Sequence, residues 1–251
     1  MFQPKLIVTD LDGTALKKNK TISKATAEAF TWCKRNKIPS AIATARYIGG
    51  AMPYAKALHA DFQILTDGTL VYENGSLIYS NAMDISTTNA ILLELKKRSY
   101  TSHITISTTK GIYRYPANSR NRNSGFCFSL EEDFPYPGNK MVVELPEDCV
   151  AEEIAKQCHC RQFRYRDENR YAFCSKTASK LDAILQITQK IGITLNDVLA
   201  FGDDLNDLDM IIHCGYGVAM GNALEEVKTA ANEVAESNEN DGVAKILSRY
   251  L

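Results

Sequence analysis

Two aspartates one residue apart, Asp10 and Asp12 in LIVTDLDGTALKK, close an apolar, β-branched run. Alternate residues of an extended chain face the same way. The pair would bring two like charges together, each raising the other's cost of ionisation. It calls for a cation between them, or a proton on one. A second acidic cluster, GDDLNDLDM at 202–210, follows another apolar run. Its Asp203 and Asp207 are spaced i, i+4, close enough to share one face at a helix start. No Lys or Arg lies within it to neutralise its aspartates. Two acidic clusters at the carboxyl ends of strands fit one site around a hard cation. Magnesium suits it, because it takes oxygen ligands and keeps water and substrate phosphate in its shell. Aspartate also favours turns and helix starts, which explains either cluster alone better than both in matching positions. A calcium loop of the EF-hand kind is excluded, since Leu205 stands third from Asp203 and no glycine stands sixth.

Thr44 and Arg46, in AIATARY, follow a second apolar run. The threonine hydroxyl can donate to a phosphoryl oxygen or cap a helix. Lys180 opens a helical pattern, where a cation opposes the helix dipole. It reads either as a solvated lysine or as a group that binds phosphate and damps carboxylate repulsion. Competing machinery is missing: there is no P-loop, no G-x-G-x-x-G, no G-x-S-x-G and no HExxH.

The elements that would position these residues alternate. KLIVTD, IPSAIAT and FQILT read as strands, with helices at SKATAEAFTWCKRNK, where Ser23 is a plausible N-cap, and at MPYAKALHA. This alternation argues a parallel sheet with helices on both faces. TLVYENGSLIYS is a hairpin around Asn74-Gly75. From about residue 84 to 175 the pattern shifts to short strands (SHITIST, GIYRYP, KMVVELP, QFRYRD, RYAFCS), with helices at STTNAILLELKKRS and VAEEIAKQC and a polar loop at NSRNRNSG. The last third resumes the alternation of the first, with helix SKLDAILQITQKIG, strand DVLAFGD, helix DLDMIIHCG, strand YGVAMG, and helices ALEEVKTAA and GVAKILSRYL. The expected fold is α/β, a doubly wound, mostly parallel Rossmann-like sheet built from residues 1–81 and 178–251. An α+β cap at 82–177 would interrupt it. Ligands in such sheets bind beyond the carboxyl ends of the strands.

Bulk properties narrow the class. The chain has 251 residues, 45% hydrophobic and 24% charged, with net charge -1. That is a globular composition with no strongly basic surface, so nucleic acid is not an expected partner. No apolar run approaches a membrane span. The seven cysteines are odd in number and scattered, which argues against a secreted disulfide framework. CHC at 158–160 lacks the spacing of a zinc knuckle. The N-terminus runs straight into a strand with no basic leader, and a cytoplasmic protein is expected.

DLDGT, TAR, Lys180 and GDDLND, in that order, resemble the four motifs of the haloacid dehalogenase superfamily. The tail GYGVAMGNALEEVKTAANEVAESNENDGVAKIL resembles its Cof-type sugar-phosphatase subfamily, which carries a large cap between the second and third motifs. The resemblance implies that Asp10 is the nucleophile, forming an aspartyl-phosphate, and that Asp12 protonates the leaving oxygen and then activates water. It implies magnesium held by Asp10, the Asp12 carbonyl, Asp203 and Asp207. Leu11, Thr44, Ala45, Lys180 and Asn206 would surround the phosphoryl oxygens. The repulsion between Asp10 and Asp12 would then be relieved by the metal and by a proton on Asp12. Two departures stand out. Ala45 replaces the glycine of the usual Thr/Ser-Gly-Arg, adding a methyl where backbone comes close. DGT at 67–69 replaces NGA, so that Asp67 adds a charge that would weaken anion binding or pair with Arg46.

The expected reaction is magnesium-dependent hydrolysis of small phosphomonoesters by a monomer or weak homodimer. Cap residues Arg114, Arg120 and Arg122 are candidates to meet a second anionic group on the substrate. The alternatives are a phosphomutase of the same superfamily and a non-catalytic phospho-ligand sensor.

Overall fold

The computed structural model of the chain describes residues 2–116, 125–166 and 168–250. Its contacts divide into two units, Met1–Tyr79 with Ser179–Leu251, and Ser80–Ala178.

The first unit begins with β1 (Leu6–Thr9), α1 (Lys24–Arg35), β2 (Ser40–Ala43), α2 (Ile48–Ala57), β3 (Phe62–Leu65), β4 (Leu70–Glu73) and β5 (Ser76–Ser80). Strands β1 to β3 are buried at every position, as expected of a sheet covered on both faces. Ser23 caps α1 by accepting from the Thr26 amide at 3.1 Å. Helix α2 starts four residues before the expected Met52, because Gly49 and Gly50, weak helix formers, hide its first turn in the sequence. The β4–β5 turn has positive φ at both Asn74 and Gly75, the conformation a type I′ turn requires.

The inserted unit contains α3 (Ile85–Lys97), β6 (Ile104–Thr108), β7 (Gly111–Tyr115), β8 (Phe126–Cys127), β9 (Lys140–Glu144), α4 (Asp148–Gln157), β10 (Arg161–Arg164) and β11 (Arg170–Cys174). Its sheet runs β10-β11-β9-β6-β7-β8. Every pairing is antiparallel except β7 with β8. Alternate strand residues Ile104, Ile106, Met141, Val143, Tyr171 and Phe173 share one core with Ile91 and Leu95 of α3 and Ile154 of α4. Both helices therefore cover the same sheet face.

The chain then returns to the first unit with α5 (Lys180–Ile191), β12 (Val198–Gly202), α6 (Leu208–His213), β13 (Tyr216–Ala219), α7 (Glu225–Ala230), β14 (Glu233–Val234) and α8 (Gly242–Leu247). The sheet order is β14-β13-β12-β1-β2-β3-β4-β5. Strands β14 through β3 run parallel and β4 turns antiparallel. Winding reverses at β1, which lies between β12 and β2; this is the switch point at which α/β sheets bind ligands. Helix α6 begins at Leu208, after a 3-10 turn at Leu205–Asp207, so Asp203 and Asp207 are joined by a tight turn instead of a helical face. Among the described residues no helix is long and apolar enough to cross a membrane.

Candidate active site

Asp10 leaves β1 and Asp203 leaves β12. Thr9 stands opposite Phe201 in the parallel ladder, so the residues that follow emerge side by side. Asp10, Asp203 and Asp207 are all buried. One carboxylate oxygen of each lies within 4.8 Å of the others. The side chain of Lys180, 1% exposed, reaches into this cluster. Its Nζ donates to Asp10 Oδ1 at 2.7 Å and to Asp207 Oδ1 at 2.6 Å. Asp207 Oδ2 accepts from the backbone amides of Asp203 and Asp204 at 2.9 and 3.1 Å. The Thr14 hydroxyl donates to Asp203 Oδ1 at 2.8 Å.

Lys180 is the first residue of α5, whose N-cap Ser179 accepts from the Asp182 amide. The helix start is fixed from the other side by residues 66–68. Thr66, Asp67 and Gly68 all have positive φ. A Cβ on Gly68 would sit 2.0 Å from the Ser179 carbonyl oxygen. Only glycine permits that approach, and left-handed threonine beside it is a strained conformation of the kind found at functional sites.

Burial dominates the electrostatics. It pushes the Asp10 carboxyl well above the usual range; Asp207 and Asp203 add to this, and Lys180 opposes it. Burial, and then Asp207, push Asp203 up to about 7 against the Thr14 hydrogen bond. Burial alone would lower Lys180, but Asp10 and Asp207 overrule it and hold the ammonium protonated. Were all three carboxylates ionised, the one ammonium would leave two uncompensated negative charges (−3 + 1 = −2) in a buried space, which is why burial raises Asp10 and Asp203 when no further cation is present. An all-oxygen donor set with that deficit fits a hard divalent cation.

Asp12 is turned elsewhere. Arg46 grips it with two prongs, Nε to Oδ2 at 2.6 Å and Nη2 to Oδ1 at 2.7 Å, and Lys20 Nζ donates to Oδ1 at 2.7 Å. Arg46 is itself held by the Gly50 carbonyl at 3.1 Å and lies over the Tyr54 ring. Burial would raise Asp12, but the hydrogen bonds from Arg46 and Lys20 outweigh it and bring the carboxyl down to about 2. The charge pairs with Arg46 and Lys20 favour the ionised form of Asp12 and offset its repulsion with Asp10. Arg46 pairs with Asp12, not with Asp67. Asp67 instead accepts from Asn206 Nδ2 at 3.0 Å, which engages the amide expected to face a phosphoryl oxygen.

Thr44 is buried at the end of β2, its hydroxyl accepting from the Arg46 amide at 3.2 Å. Ala45 has no left-handed φ, so its backbone does not require the glycine it replaces. Leu11 packs its side chain into the core, and its carbonyl accepts from the Thr14 and Leu16 amides. Arg114 lies on β7 of the inserted unit. Arg120 and Arg122 lie outside the described residues. The sequence alone assigned no role to Thr14, Lys20 or Gly68. Thr14 was within its reach, as part of DLDGT; the other two carry no local signal.

The family model of haloacid dehalogenase-like hydrolases matches residues 7–247. The chain belongs to this family. Membership makes it an enzyme of the hydrolase class, and the names of its relatives support a phosphatase. It is 26% identical over 251 residues to a 5-amino-6-(5-phospho-D-ribitylamino)uracil phosphatase of Bacillus subtilis, covering 98% of this chain and 96% of the relative. It is 24% identical over 274 residues to a pyridoxal phosphate phosphatase of Escherichia coli, covering 98% of each. Among solved structures, a haloacid dehalogenase-like hydrolase from Bacteroides thetaiotaomicron superposes with a TM-score of 0.83 at 24% identity over the whole of both chains. A subclass IIB sugar phosphatase gives 0.85 at 23% identity over 98% of each. These two likenesses bear on the fold: α/β, with a Rossmann-like core.

Proposed function

We propose that the chain is a magnesium-dependent phosphatase of small phosphomonoesters that works through an aspartyl-phosphate on Asp10. The observation that carries this reading is the buried Asp10 carboxylate at the switch point, with Lys180 on one oxygen and Asp203 and Asp207 beside it. In the first step an Asp10 oxygen attacks phosphorus, the bond from phosphorus to the ester oxygen breaks, and that oxygen takes a proton. In the second, water attacks the same phosphorus and frees Asp10 and inorganic phosphate. A carboxylate nucleophile thus divides one difficult hydrolysis into two displacements. Asp12 exchanges a contact with Arg46 or Lys20 for one with the leaving oxygen; relieved of that pairing it takes up a proton from solvent, and it is the proposed donor of this proton to the leaving oxygen and then the acceptor from the attacking water. Lys180 holds the nucleophile in place and offsets the charge that gathers during transfer. Asp10, Asp203 and Asp207, with the Asp12 carbonyl, would hold the magnesium, which supplies further neutralisation of the phosphoryl oxygens. Thr44, Asn206 and the backbone at Leu11 and Ala45 are the proposed phosphoryl contacts. The inserted unit is the proposed cap that selects the substrate. The seven cysteines, none in a disulfide among the described residues, suit a reducing compartment such as the cytoplasm.

The test is a panel of phosphorylated metabolites assayed for released phosphate with and without magnesium. It should include sugar phosphates, pyridoxal phosphate and 5-amino-6-(5-phospho-D-ribitylamino)uracil. Release that needs magnesium and vanishes in Asp10→Asn supports the reading. An isomerised phosphate ester in place of free phosphate would point to a mutase. Binding without turnover across the panel would point to a sensor.

A further inference from the structure

The tail motif around Asn222 and Asn238 takes no part in the chemistry above, yet its side chains reach the segment that follows the nucleophile. Asn222 Nδ2 donates to the Gly13 carbonyl at 2.8 Å, and its Oδ1 accepts from the Asn238 amide at 2.9 Å. That second bond fixes which end of the Asn222 amide carries oxygen. Asn238, itself buried, donates through Nδ2 to the Leu16 carbonyl at 2.8 Å. Glu239 Oε1 accepts from the Lys18 amide at 2.6 Å, and its carbonyl accepts from Lys17 Nζ at 3.1 Å. Three backbone groups of residues 13–18 are thus held by one stretch of tail. The tail takes its own position from the other acidic segment, since the Met220 amide donates to the Gly202 carbonyl and the Leu224 amide to the Asp203 carbonyl, each at 3.0 Å.

From this geometry we infer that Asn222, Asn238 and Glu239 are positioning residues: a clasp that sets the Asp12–Leu16 backbone against Asp203. The inference rests on the phosphatase reading and deepens it. The tolerance for movement is small. Gly13, at φ +89°, passes so near Asp203 that an added Cβ would lie 2.3 Å from its Oδ2. The Thr14–Asp203 hydrogen bond spans the same gap. The segment's other bonds, Thr14 and Leu16 amides to the Leu11 carbonyl and the Ala15 amide to the Asp10 carbonyl, shape it from within. The clasp fixes where it lies relative to the second acidic segment. Catalytic groups tolerate only about 0.5 Å of misplacement, so a loosened clasp reduces turnover without removing any reacting group.

Asn222 is exposed, so Asn222→Ala should fold. The experiment compares it with wild type and with the surface control Glu225→Gln, in the full chain. Hydrogen–deuterium exchange should speed up over residues 12–18 in Asn222→Ala and stay unchanged over β12 and β13. The kcat for the best phosphomonoester should fall about tenfold, the size of one lost net hydrogen bond. KM should stay within about twofold, which a general loss of structure would not produce. Unchanged exchange over 12–18 overturns the clasp. Faster exchange with kcat within about twofold of wild type overturns its positioning role. If wild type itself releases no phosphate, the phosphatase reading fails, and the exchange comparison still decides whether the clasp exists.

Discussion

Replacing Lys180 with methionine removes the largest charge compensation in the core. The substitution keeps the unbranched stem, one heavy atom shorter, and deletes the ammonium that lies 2.7 Å from Asp10 and 2.6 Å from Asp207. Both carboxylates are buried, so neither gains water in exchange. Removing one partner of a buried ion pair costs about 3–5 kcal/mol. For a chain of this size, about 2–4 °C of midpoint is lost per kcal/mol, giving a drop of about 6–20 °C in metal-free protein at pH 8. The sign with pH follows from linkage. Without the ammonium, the folded-state pKa of Asp10, already raised by burial, rises further above its unfolded value. The penalty is therefore full above the folded pKa and fades as pH falls through it, as one carboxyl takes up a proton. Scanning calorimetry of both proteins from pH 8 to pH 5, in chelator, should show the gap narrowing as the solution is acidified. A midpoint within about 2 °C of wild type at pH 8 would contradict this, because no buried charge pair is that inexpensive to break.

Asp203→Asn should raise the metal-free midpoint most at pH 8, and by progressively less as pH falls from about 7 towards the unfolded carboxyl range of about 4. The native carboxyl, pushed up to about 7, must be ionised in the folded state or take up a proton that the unfolded chain does not hold, whereas asparagine incurs neither cost and still accepts from Thr14; calorimetry reads this directly. Gly68→Ala combines a left-handed φ with a Cβ 2.0 Å from the Ser179 carbonyl. It should cost about 2 kcal/mol or more in denaturant unfolding and displace Lys180 enough to reduce turnover. Magnesium at a hundred times its dissociation constant should stabilise wild type by about 2.7 kcal/mol. The shift should vanish in Asp203→Ala if that carboxylate is a ligand. Arg46→Lys cannot reproduce the two-pronged grip on Asp12. It should change the ratio of kcat/KM for poor against good leaving groups, which steady-state assays of alkyl and nitrophenyl phosphates would report.

The α/β class was legible because a buried parallel strand announces itself as a short, mostly apolar run, as β1 to β3 and β12 do despite Thr9, Ser40 and Gln63. Asp10, Asp203 and Thr44 could be placed at strand ends for the same reason. Partner choice was not legible. Nothing local to Asp12 says that Arg46, 34 residues on, will take both its oxygens, because that depends on the β1–β2 register and on where α2 starts. The 3-10 turn before α6 escaped notice because its residues also satisfy a helical pattern. Strands β8 and β14, two residues each, are too short to carry any periodicity. Asn222 and Asn238 carry no local signal for their contacts, because the carbonyls they hold lie 209 and 222 residues away in sequence.

Asp10 and Asp203 follow adjacent strands but lie 193 residues apart in the sequence. At roughly 5–20 residues per second, the interval between making Asp10 and making Asp203 is roughly 10–40 s. Until β12 leaves the ribosome, β1 lacks one neighbour, and the nascent first third exposes a sticky edge. The inserted unit, contiguous in sequence, can mature during that wait. The enzyme is accordingly silent throughout translation, and a ribosome stalled before residue 198 would release a chain able to aggregate but unable to react.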